Sequence, residues 1–87
     1  QSEPNRAACL REEALNLTRD QRRDVQRNLT LLEFDTRGID GIFGRGSRAA
    51  ISAWQAEYGF DQTTYLTQRQ IRRIDDQAKV RAQELEQ

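Results

Sequence analysis

Asp35 precedes, and Asp40 lies within, the stretch GIDGIFGRGS, residues 38–47, which holds four of the chain's five glycines. Two carboxylates beside glycines could begin a calcium loop. Such a loop needs oxygen ligands at alternating positions and an acidic last ligand. Counting from Asp35 puts Arg37 and Ile39 at the third and fifth places, so the pattern fails. The glycines do not form a P-loop either, because no Gly-Lys-Ser/Thr follows them. The chain has no histidine, which removes Ser-His and Cys-His nucleophile pairs. A zinc site would have to come from scattered carboxylates and Cys9. The residues therefore imply no catalytic group, no metal and no cofactor.

What remains is a shaped surface. Gly41 and Gly44 bracket Ile42-Phe43, where glycine permits φ > 0 or close backbone approach. Asp40 precedes several amides that need acceptors, and its carboxylate can hold the loop in one shape by accepting them. Ile42 and Phe43 are expected to plug the core. On these residues alone the loop is either a joint between helices or the rim of a site.

The elements that position this loop are helical. Thr18-Arg-Asp-Gln21 fits a capping box, and Val25, Leu29 and Leu32 follow at helical spacing. This predicts a helix over 19–33, with Arg19, Asp20, Arg23 and Arg27 on a solvated face. A second helix is predicted from Gly46 or Ser47 to Tyr58, with Ala50, Ile51, Trp54 and Tyr58 on one face and Gly59 as its stop. After the connector FDQTTYL, Thr67-Gln-Arg-Gln70 gives a second capping box, with Leu66 and Ile71 placed as a hydrophobic staple. That helix runs on to the end of the chain, about 30 Å if continuous, so its last turns are expected to overhang. They would form a stalk, a linker, or a helix packed on residues 6–15. Residues 1–5 read as an irregular lead-in. Residues 6–15 read as a short helix capped by Asn5, with Ala7, Leu10 and Ala14 along one side. The fold class is all-α: a compact three-helix domain with a glycine-rich loop between its first two helices and an extended C-terminal helix. The expected organisation is a lead-in at 1–15, a domain at 16–76 and an extension at 77–87.

Charge and composition narrow the partners. The 87 residues carry 14 basic and 14 acidic side chains, a net charge of zero. A nucleic-acid binder shows a basic excess. The long glycine loop also exceeds the ~3–4 residues of a helix-turn-helix joint. No apolar run is long enough to insert in a membrane. Cys9 has no internal partner, leaving a free thiol or a bridge to a cysteine elsewhere. The chain opens on Gln1 rather than methionine, which is expected of a piece of a longer protein.

Val25-Gln26, Leu29, Phe34, Asp40-Gly41-Ile42-Phe43-Gly44, Ser47, Ala50, Trp54-Gln55 and Gly59-Phe60 occur in an order and spacing that resemble the peptidoglycan-binding-like domain of bacterial cell-wall proteins. The resemblance covers about residues 16–75. It departs at Glu33 and Thr64, where the family usually has glycine, and at Ser47, which replaces threonine. The two glycine replacements are expected to alter loop shape. The resemblance implies an extracytoplasmic module, periplasmic or secreted, appended to other domains and contacting peptidoglycan glycan or stem peptide through a shallow groove. Candidate ligand contacts are Arg45, Ser47, Arg48, Phe43 and Trp54. Arg45 and Arg48 can pair with a stem carboxylate, Ser47 can bond to N-acetyl groups, and aromatic faces suit sugar rings. Phe43 and Trp54 fit the core at least as well. Asp40, Gly41, Gly44 and Gln55 are the loop-structuring candidates, with Gln55 as a buried brace. The alternative is a protein-interaction or spacer module that uses the long terminal helix.

Overall fold

The computed structural model describes residues 3–86. Among them are four helices, α1 (Glu3–Ala14), α2 (Arg19–Leu31), α3 (Arg45–Glu57) and α4 (Gln68–Leu85), and no strand. Gln1 and Ser2 of the expected lead-in lie outside the described residues, as does Gln87.

Two capping boxes start α2 and α4. Thr18 Oγ1 accepts from the Gln21 amide at 3.1 Å, and Gln21 Oε1 accepts from the Thr18 amide at 2.8 Å. Thr67 and Gln70 repeat the exchange at 3.1 and 3.3 Å. Each box satisfies amides that a helix start would leave unpaired.

The two central helices end the same way. Gly59 lies at φ +77, and the Gly59 and Phe60 amides donate back to Ala56 O and Gln55 O. After α2, Glu33 lies at φ +72, and the Glu33 and Phe34 amides donate back to Thr30 O and Leu29 O. This double return is the Schellman ending, which normally carries glycine at its left-handed position. Glu33 therefore keeps the expected backbone path without the expected residue. Thr64, the other replaced glycine, is also left-handed at φ +69. Both loops keep the path that glycine would favour, contrary to the expected change of shape.

The core joins Val25 and Leu29 of α2, Ala50, Ile51 and Trp54 of α3, and Leu66 and Ile74 around α4. Leu32, Phe34, Phe43, Phe60 and Ile71 pack against it. Trp54 is wholly buried; its ring stacks on Phe60 and its Nε1 donates to Gln77 Oε1 at 2.8 Å. Tyr58, expected on the core face, is instead 40% exposed.

Helix α1 starts earlier than expected, so Asn5 lies inside it rather than capping it. Its buried residues are Ala8 and Glu12; Ala7 is half-buried, while Leu10 and Ala14 are exposed. The expected apolar side is thus turned away. The reason is the carboxylate of Glu12, which docks on Arg48 of α3 and on the Leu66 amide. At the other end of the chain, Ala78 is the last buried residue of α4, and Val80 and Leu85 stand exposed.

Candidate functional site

The glycine loop is organised by a residue of α2. Gln26 is 1% exposed. Its Nε2 lies 3.1 Å from Asp40 Oδ1, 2.9 Å from Ile42 O and 2.9 Å from Ser47 Oγ. Its Oε1 accepts from the Gly41 amide at 2.8 Å. One amide side chain thus joins α2, the loop and the first turn of α3. A buried amide group is tolerated because both its ends are satisfied.

Asp40 adds a local clasp. Its Oδ1 accepts from the Ile42 amide at 3.0 Å as well as from Gln26. The Ile42 amide first, and then the Gln26 side chain, hold the Asp40 carboxyl below its ordinary value of 3.8. The charged form is the one these donors favour.

Gly41 is the position where the loop demands glycine. Its φ is +80, and a Cβ there would lie 2.8 Å from Arg19 O. Arg19 Nε also donates to Asp40 O at 2.9 Å, and Arg22 Nε donates to Gly41 O at 2.6 Å. Two arginines of α2 therefore grip the loop backbone; Arg19 is not simply a solvated residue. Gly44 occupies the N-cap of α3 at φ −84 and makes no left-handed turn.

The structure separates the candidate contacts. Ile42, expected to plug the core, is 58% exposed at the loop surface; its carbonyl, not its side chain, points to the Gln26 anchor. Phe43 is half-buried against the core. Arg45 is exposed and has no side-chain hydrogen bond or ion pair among the described residues. Ser47 is 2% exposed, and its hydroxyl is engaged with Gln26. Trp54 offers no open ring face. Arg48 is paired with Glu12, and its guanidinium lies 4.3 Å from the Tyr65 ring centroid and 5.2 Å from that of Phe43. Gln55, fully buried, accepts from the Thr64 amide at 3.0 Å and donates to Tyr65 O at 3.0 Å. It holds the α3–α4 connector much as Gln26 holds the glycine loop.

Between α1 and the glycine loop lies an open cleft of about 460 Å³. Ile42, Phe43 and Gly41 line one side, Glu12, Glu13 and Leu17 the other, with Arg22 and Arg48 among the lining residues. An aromatic and an aliphatic surface beside guanidinium groups suits a ligand carrying both apolar rings and anionic groups. Gln26 and Arg22 were not among the sequence candidates. The Val25-Gln26 pair was visible as a motif, but its role depends on the loop folding back across α2.

The family described as "Putative peptidoglycan binding domain" matches residues 18–74, well over half of the chain. The match begins at the capping box of α2 and ends within α4, leaving α1 outside it. No curated protein and no solved structure matches the chain.

Proposed function

Because the chain belongs to the peptidoglycan binding domain family, we propose that it is a non-catalytic module that holds an attached domain on peptidoglycan in the bacterial envelope, in a periplasmic or secreted setting. The observation that carries this reading is the loop surface: Ile42 and Phe43 stand beside the exposed Arg45, whose side chain has no partner among the described residues, on a backbone fixed by Gln26 and Asp40. A fixed backbone lowers the ordering cost of binding. Ile42 and Phe43 provide apolar contact for sugar rings or acetyl methyl groups, and Arg45 provides a partner for a stem-peptide carboxylate. Ser47 and Trp54 act through the scaffold beneath this surface.

The anchoring role is tested by fusing a fluorescent protein to the chain and sedimenting it with purified sacculi. Retention of the fusion, and not of the fluorescent protein alone, supports anchoring. Equal loss of both to the supernatant overturns it.

A further inference from the structure

The Glu12 carboxylate is held as a ligand would be. Arg48 grips it with two nitrogens, Nη1 to Oε2 at 2.9 Å and Nη2 to Oε1 at 2.8 Å. The Leu66 amide donates to Oε2 at 2.7 Å. Arg48 is itself pre-set: Nη1 also donates to Thr64 O at 2.9 Å, and the rings of Tyr65 and Phe43 flank the guanidinium. Every group that receives the carboxylate lies within residues 18–74, whereas Glu12 lies outside them. Beyond Ala8 and Glu12, α1 has no buried residue among those whose side chains are described. The helix is therefore attached through one carboxylate more than through an apolar face. The cleft opens directly beside it, lined by Glu12, Arg48 and Phe43.

We infer that Arg48 and the Leu66 amide form a carboxylate-binding site for a peptide carrying a free carboxylate, and that Glu12 of α1 occupies this site until such a ligand displaces it. A bidentate arginine with an added backbone donor selects a planar carboxylate over a neutral amide. Displacement frees α1, which supplies one wall of the cleft, and leaves Arg48 and Phe43 on the opposite wall open to the ligand. The ligand's class rests on the peptidoglycan reading above; the site itself rests on the geometry.

The test is a titration of the ¹⁵N-labelled full chain with N-acetyl-D-alanyl-D-alanine and with its terminal amide, read at the Leu66 amide and the Arg48 side chain. Glu12→Gln and Glu12→Ala are each expected to bind the acid at least about tenfold more tightly than the wild type, a change of about 1.4 kcal/mol. Adding Arg48→Gln to either variant is expected to abolish binding, and the terminal amide is expected not to bind. Equal affinity in wild type and Glu12 variants, or equal binding of acid and amide, overturns the proposal. Should both variants unfold, the wild type at high peptide concentration decides it. Concerted shifts at Ala8, Glu12 and Leu66 support displacement, and their absence refutes it. Wild-type retention on sacculi without any peptide effect would remove this site while leaving the peptidoglycan reading intact.

Discussion

Gln26 Nε2 sits 2.9 Å from Ser47 Oγ, tying the buried face of α2 to the first turn of α3 beneath the loop. The same side chain holds the Gly41 amide and Ile42 carbonyl. Replacing Gln26 with leucine keeps bulk and removes all these partners at once. Leaving buried polar groups unpaired is costly, so Gln26→Leu is expected to lose about 2–4 kcal/mol of unfolding free energy. Urea denaturation measures it. A loss under about 0.5 kcal/mol, typical of exposed sites, would show that the loop does not depend on this hub.

Gly41→Ala is expected to destabilise by more than about 1 kcal/mol, because it combines a left-handed φ with a collision. The φ is +80 and the added Cβ would lie 2.8 Å from Arg19 O. Gly44→Ala at φ −84 has open space and is the matched control. Thermal melts of the two variants should differ clearly; equal melting temperatures would contradict the account.

Glu33 and Thr64 invert the usual direction of mutation. Both lie in the left-handed region, at φ +72 and +69. Thr64 is β-branched, for which this conformation is an outlier. The Gln55 side chain and Arg48 hold its backbone amide and carbonyl in place. Neither side chain makes a hydrogen bond among the described residues. Glu33→Gly and Thr64→Gly are each expected to stabilise by about 0.5–1 kcal/mol. Destabilisation by either, measured in urea, would show that the strain is absent.

Acid stability should report the Asp40 clasp. Its folded pKa is below the ordinary value of 3.8, so the unfolded chain takes up the proton first. The contribution to stability is present above about that ordinary value and is lost as pH falls through the lowered folded value. Asp40→Asn should flatten the stability–pH curve in that acid window and leave its slope near neutrality unchanged. Identical acid slopes in the two proteins would refute the clasp.

Much of this architecture is legible in the sequence because it is local. The Thr18/Gln21 and Thr67/Gln70 boxes and the Gly59 stop depend on neighbours a few residues away. Ile42 is different: whether a loop residue points in or out depends on which atoms anchor the backbone, and here the anchor is Gln26 on another helix. Helix α1 fails for the same reason. Its apolar residues suggest one side, but the buried residue is Glu12, whose partner Arg48 lies 36 positions along the chain. Arg48 reads as free for a ligand in the sequence because its partner is equally distant.

The most direct measurement is the sacculus-binding isotherm of the full chain beside that of an Ile42→Ser/Arg45→Ala variant. Both residues are exposed, so the variant should remain folded. Saturable wild-type binding, weakened about tenfold or more in the variant, is the result expected. No wild-type binding would contradict the peptidoglycan role, and superimposable isotherms would contradict the loop surface as its site.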